Sequence, residues 1–263
     1  MTHYDGWDLT DEIAGALRSA GLDPEHLSLD DLAPLDEFHA LGRPATLALA
    51  ELAQIAEGDR VLDVGAGIGG PARLLADRFG AQVTALDPTE RFCAADEMLC
   101  RATGLADRVS VVRGDALALP FEDASFDVAW TQHVAMSIED KAGMYAEMRR
   151  VLAPGGRVAI FDVVAGPGGP IHFPVPWADG PEASFLVSPD ELLELLRGAG
   201  LEVRTANDGQ AALAAVSLHP AIEAAPGAPT LKLVMPDFEE RMRTMVRNLQ
   251  EQRTGLMQVV AVA

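Results

Sequence analysis

The chain reads as an α/β protein, a doubly wound parallel sheet preceded by a helical cap, and three observations predict it. From Arg60 onward short apolar runs alternate with helical patterns, a glycine-rich turn follows the first run, and proline, glycine and capping residues stand at the predicted boundaries. Elements that take turns in this way place helices on both faces of a parallel sheet. Ligands then bind beyond the carboxyl ends of the strands, beside the first one.

Residues 1–58 are predicted as the helical cap. Thr10 can cap a helix running to about Ala20 with Gly21 as its stop, and Pro44 suits the first turn of a second helix, Ala45 to Ile55, ended by Gly58. In residues 59–263 the strands are Val61–Val64, Gln82–Leu86, Val109–Arg113, Phe126–Trp130, Arg157–Val164, Leu201–Thr205 and Met257–Val262. The helices between them are Pro71–Phe79, Arg91–Thr103, Lys141–Leu152, Pro189–Ala199 and Phe238–Gln250. Ser188-Pro189-Asp190-Glu191 is a capping box that marks one start sharply. Gly166 to Ser184 is rich in Gly and Pro, and a loop of that length in a compact domain is usually functional. Gln210 to Thr230 reads as an Ala-rich helix and a turn.

With 263 residues, about half of them hydrophobic, the chain can bury a sizeable core. A formal charge of −20 argues against nucleic acid and anionic membrane surfaces, both polyanions. Cys93 and Cys100 lie seven apart on one predicted helix, about 10 Å by its rise, beyond disulfide reach. A reducing cytoplasm is the expected location. The acidic start, Met1 to Asp11, does not have the form of a signal peptide, and no run has membrane-spanning length.

The chemistry concentrates in Val61-Leu62-Asp63-Val64-Gly65-Ala66-Gly67-Ile68-Gly69-Gly70-Pro71. A buried strand breaks into a turn whose glycines allow close backbone approach, at the start of a helix that carries partial positive charge. Gly65, Gly67 and Gly70 alone also fit a dinucleotide fingerprint. Asp63 separates the readings. A pyrophosphate would be repelled by that carboxylate, whereas a ligand bearing an ammonium and a sulfonium would be attracted. Asp87 ends the second strand, where a carboxylate can accept both hydroxyls of a ribose.

These motifs resemble the class I S-adenosylmethionine methyltransferase family over about residues 37 to 205. The resemblance rests on Asp63-x-Gly65-x-Gly67, on Asp87, on Arg113-Gly114-Asp115 through Phe121, and on Arg150-Val151-Leu152-Ala153-Pro154-Gly155-Gly156. It implies a Rossmann-like seven-stranded sheet ordered 3-2-1-4-5-7-6 with the last strand antiparallel. It also implies S-adenosylmethionine as cofactor, S-adenosylhomocysteine as product, and no metal. Asp63, Gly65, Ala66 and Gly67 would hold the methionine end, Asp87 and Pro88 the ribose, and Asp115 and Ala116 the adenine, with Gln132 beside them. Thr131-Gln132-His133-Val134 lacks the Asn/Asp-Pro-Pro-aromatic sequence of nucleic-acid and protein amide methylases. Gln132-His133 with Asp140-Lys141 is instead similar to the small-molecule branch of ubiquinone/menaquinone, tocopherol and sarcosine/dimethylglycine enzymes.

The expected partner is therefore a small, partly apolar methyl acceptor, with no nucleic acid and no membrane insertion. His133 is the candidate general base, its unperturbed pKa being near 6.5; packing under the cofactor or holding the acceptor are its other readings. Tyr4, Trp7, His39, His172, Phe173 and Trp177 are candidate acceptor contacts, an apolar, stiff wall around Phe173-Pro174-Val175-Pro176-Trp177 being the reason. Two rival functions fit the same motifs. One is a nicotinamide dehydrogenase. The other is a methyltransferase-like protein that holds the cofactor structurally and cyclises or rearranges a natural product.

Overall fold

The computed structural model describes residues 8–209, 229–235 and 237–263. Tyr4 and Trp7 lie outside them, as does nearly all of the Gln210–Thr230 stretch. The cap carries α1 (Leu9–Ser19), α2 (Leu29–Asp36) and α3 (Gly42–Leu52). The sheet follows as β1 (Arg60–Val64), β2 (Gln82–Asp87), β3 (Val109–Arg113), β4 (Phe126–Gln132), β5 (Leu152–Ala165), β6 (Glu202–Asn207) and β7 (Thr254–Val262). Between the strands run α4 (Gly70–Phe79), α5 (Glu90–Ala102), α6 (Lys141–Val151), α7 (Pro189–Gly198) and α8 (Phe238–Gln250).

The strand order is β3-β2-β1-β4-β5-β7-β6, as expected. β1 pairs in parallel with β2 and β4, and β5 continues that direction, while β7 runs antiparallel between β5 and β6. One face of the sheet (Val61, Val83, Trp130, Phe161) packs on α3, α4 and α8. The other face (Leu62, Ala129, Val158) packs on Met144, Tyr145 and Met148 of α6 and on Leu192 and Leu196 of α7. A third cluster joins Ile13 and Leu17 of α1 to Ala95 and Leu99 of α5, anchoring the cap to the core.

Three local expectations need correction. The first helix is capped by Asp8, whose carboxylate accepts the Thr10 N–H at 3.0 Å, so it starts one residue before Thr10. α2 was not expected. A capping box of Ser28 and Asp31 opens it, and Pro34 inside it hides its period from a reading of the sequence. β5 starts at Leu152, directly after α6, because the Pro154-Gly155 corner, with Gly155 at φ 77°, is folded into the strand itself. Pro71 does stand in the first turn of α4, and the Ser188–Glu191 capping box opens α7. Cys93 and Cys100 are both free and buried.

Candidate active site

Parallel pairing brings the carboxyl ends of β1, β2 and β4 side by side, so Asp63, Asp87 and Gln132 share one edge of the sheet. The glycine turn closes over this edge. Gly65 and Ala66 donate their N–H groups to Leu86 O at 2.8 and 3.0 Å, and Gly67 N–H donates to Asp87 Oδ2 at 3.0 Å. Gly67 has φ 59°, and a Cβ there would meet no heavy atom within 4 Å. The turn therefore borders open space that only a side-chain-free residue leaves clear.

Asp63 is 2% exposed, and its Oδ2 meets no hydrogen-bond donor among the described residues. Burial, then Asp96, then Asp87 push its carboxyl well above the usual carboxylate range. A buried carboxylate without a partner is costly, so the free protein favours the protonated carboxyl, and a cation beside it would relieve that cost. Asp87 also sits above its ordinary value through burial, opposed by the N–H groups of Thr89 and Gly67. Asp115 is exposed and accepts the Leu117 N–H at 2.9 Å, while Ala116 beside it is buried.

A cleft of about 930 Å³ lies beside the ends of β2 and β3, past Pro88, Thr89, Phe92, Arg113 and Trp177. Beyond Trp177, Phe38, Pro176 and Met235, which line both spaces, lies a chamber of about 210 Å³. Met136, Met242, Met245 and Phe238 make its walls, with His39 and His133 among them. No Asp, Glu, Lys or Arg is among its described lining residues.

His133 follows β4 in the left-handed region, φ 55°. Its Nδ1 stands 3.2 Å from Phe161 O and its Nε2 accepts the Ala40 N–H at 3.2 Å. A carbonyl only accepts and an amide only donates, so the ring is a neutral Nδ1–H tautomer engaged at both nitrogens. Burial, then His39, push its pKa down to about 3. The turn after it is held by Asp162, whose Oδ2 accepts the Ala135 N–H at 2.9 Å, and burial lifts that carboxyl to about 7. Gln132 Oε1 accepts from Trp130 Nε1 (3.1 Å) and from Thr46 (3.2 Å), leaving its buried Nε2 without a partner among the described residues.

The structure thus brings Asp63, Gly65, Ala66, Gly67, Asp87, Pro88 and Gln132 to one edge, and His39, His133 and Trp177 to the chamber. His39 is fixed by Ala40 O at 3.1 Å and lies 3.0 Å from both Thr46 and Glu37. His172 points elsewhere: its Nε2 pairs with Glu251 at 2.7 Å, and neither it nor Phe173 is among the chamber's described lining residues. The reading of the sequence did not single out Phe38, Met136, Met235, Met242 or Met245. The spacing Phe238, Met242, Met245 on one helix face was the signal available.

Residues 62–160 match the family model described as a methyltransferase domain. Over that stretch the chain is similar to methyltransferase domains. It is 36% identical over 158 residues to methyltransferase GfsG of Streptomyces halstedii, covering 60% of this chain and 57% of that protein. The chain spans between about a quarter and three fifths of the length of the curated relatives it matches. Among solved structures, geranyl diphosphate C-methyltransferase from Streptomyces coelicolor A3(2) has TM-score 0.66 and 17% identity, with 98% of each chain covered. The [4+2]-cyclase SpnF has TM-score 0.65 and 23% identity, with 97% of this chain and 94% of that one covered. These two likenesses are of fold. No helix among the described residues is long and apolar enough to cross a membrane.

Proposed function

We propose that the protein transfers a methyl group from S-adenosylmethionine to a small, uncharged, largely apolar acceptor. The observation that carries this reading is Asp63, a buried carboxylate whose Oδ2 meets no donor among the described residues, set just before a glycine turn that borders open space at Gly67. Asp63 and residues 65–67 would hold the ammonium end of the cofactor, Asp87 and Pro88 the ribose, and Asp115 with Ala116 the adenine. Gln132 Nε2 is the spare donor of the site. When bound, the cofactor supplies an electrophilic methyl group on a sulfonium.

The chain's own part is placement. Met136, Met242, Met245 and Trp177 exclude water and adapt to an irregular apolar body. Without Asp, Glu, Lys or Arg in the described wall, a charged acceptor would lose its hydration uncompensated. His133, engaged at both nitrogens, fixes the cap segment at Ala40 over the chamber, and alignment of the acceptor then supplies the rate. In this reading residues 1–58 act as a lid, 59–263 as the cofactor-binding core, and the loop 166–184 contributes Pro176 and Trp177 to the acceptor wall.

Calorimetric titration with S-adenosylmethionine, with mass spectrometry of the product, tests it. Micromolar binding and conversion to S-adenosylhomocysteine with an apolar acceptor are expected; absence of any binding would overturn the assignment. Asp87→Ala should weaken cofactor binding by about 1.5–3 kcal/mol, the range for hydrogen bonds to a charged group. A second reading is favoured by the occupied nitrogens of His133, which is then not free to act as a base: the cofactor is held structurally while the chamber cyclises or rearranges a natural product. Acceptor conversion without loss of S-adenosylmethionine would select it.

A further inference from the structure

Arg73 is fully buried on the first turn of α4, three residues after the last glycines of the site. Its Nη1 donates to Ile68 O in the glycine turn at 2.8 Å and to Asp96 Oδ1 of α5 at 2.6 Å, and its Nη2 donates to Asp36 Oδ1 at 2.6 Å. Asp36 is the last residue of the cap helix α2. One guanidinium thus ties the cap, the cofactor turn and α5 together. The fit leaves no slack: a Cβ on Gly69 would lie 1.9 Å from Asp96 Oδ1, and one on Gly70 would lie 2.2 Å from Asp36 O.

Stability does not account for this arrangement. A buried ion triad is commonly no better than apolar residues of the same volume, whereas removal of one member strands the others. What the triad specifies is registry between three segments. Its charge also extends to the cofactor site. Asp36 and Asp96 face one cation, and Asp96 and Asp87 act in turn on Asp63, so a series of four buried carboxyls extends from Arg73 to the end of β1. Glu37 and Arg43 are the other charged groups that bear on Asp36.

We propose that Arg73 is a positioning residue through which seating of the cap and occupancy of the cofactor turn become one coupled equilibrium. With the cap seated, Asp36 and Asp96 share the guanidinium and Ile68 O is held in place. With the cap lifted, Nη2 loses its partner and the turn loses its fixed geometry. A ligand ammonium at Asp63 offsets the surplus of carboxylates and favours the seated form. Coupling of this kind is reciprocal, the ligand seating the cap by the factor by which the seated cap tightens the ligand.

This rests on the reading that the turn binds S-adenosylmethionine, and the probe is S-adenosylhomocysteine. The test compares the full chain with Asp36→Asn, which keeps shape and loses charge, by calorimetry and by hydrogen exchange of residues 29–36 with and without the probe. Asp36→Asn should weaken the probe about tenfold, within the usual span of coupling, and should reduce its protection of residues 29–36 by the same factor. That equality is what a merely structural defect would not produce. Natural affinity together with natural protection in the variant overturns the proposal. If Asp36→Asn does not fold, Asp96→Asn tests the opposite arm with the same expected pair of losses. If the probe binds neither protein, the functional reading fails, and the clamp is judged in the free protein: faster exchange of residues 29–36 in the variant supports it and unchanged exchange overturns it.

Discussion

Asp63 and His133 are each read from what surrounds them. In the free protein burial and two neighbouring carboxyls keep a proton on Asp63 well above the ordinary range, and a bound ammonium removes that penalty. Cofactor binding should therefore release a proton, and affinity should tighten as pH rises, because the carboxyl is then ionised beforehand. Titrations in two buffers of different ionisation enthalpy measure this; equal heats and a pH-independent Kd would refute it. Asp63→Asn should abolish the linkage as well as weaken binding. His133, held down at about 3, stays neutral through the ordinary pH range, so no limb of the rate profile between about pH 5 and 8 should belong to it. His133→Gln should cost less than about tenfold in kcat, against the 10²–10⁴ of a general base. Asp63 was legible in the sequence because charge against a glycine turn is a local pattern. The engagement of His133 was not, because its partners, Ala40 and Phe161, come from 93 residues before and 28 after.

The elements carry the same division between local and distant causes. Alternating apolar runs gave every strand, with the start of β5 placed too late at Arg157, and capping residues gave the starts of α4 and α7. α2 escaped because its signal is one polar box followed by a proline, with no room for a period to show in eight residues. That box is also its support: Ser28 Oγ accepts the Asp31 N–H at 3.2 Å, and Asp31 accepts the Ser28 N–H at 2.8 Å. Ser28→Ala should cost about 0.5–2 kcal/mol, lowering Tm by a few degrees in a chain of this size, as a thermal scan would show. The chamber was legible only in part. Trp177 and His39 stood out as isolated residues, while the methionines of α8 reach the chamber only because the helix packs on the same sheet face as α3.

At the scale of the whole molecule, charge sets the response to pH. Asp36 at about 6 and Asp162 at about 7 keep protons that carboxyls of an unfolded chain lose near 3.9. The folded state then binds more protons between those values, so this part of the stability falls as pH rises. Glu251, held at about 2 by Arg247, Arg253 and His172, has the opposite sign, but its contribution is lost only in stronger acid; His133, held at about 3, also has the opposite sign and offsets part of the effect below about pH 6.5. The self-repulsion of a chain at −20 acts with the buried carboxyls. The ligand-free protein should consequently melt higher near pH 5.5 than near pH 8; the reverse order in a calorimetric scan would contradict the burial of these groups.

The chamber wall is drawn from residues 38–40, 133–137 and 176–177 and from Leu231, Met235, Phe238, Met242 and Met245, and none of these lies in the stretch from β1 to β3 that carries the glycine turn and Asp87. The two tasks are written in different parts of the chain. On the proposed reading, new acceptors can be acquired by exchanging Phe238, Met242 and Met245 on one face of α8, which line the chamber and not the cleft. Libraries confined to those positions should redirect selectivity while donor affinity stays constant.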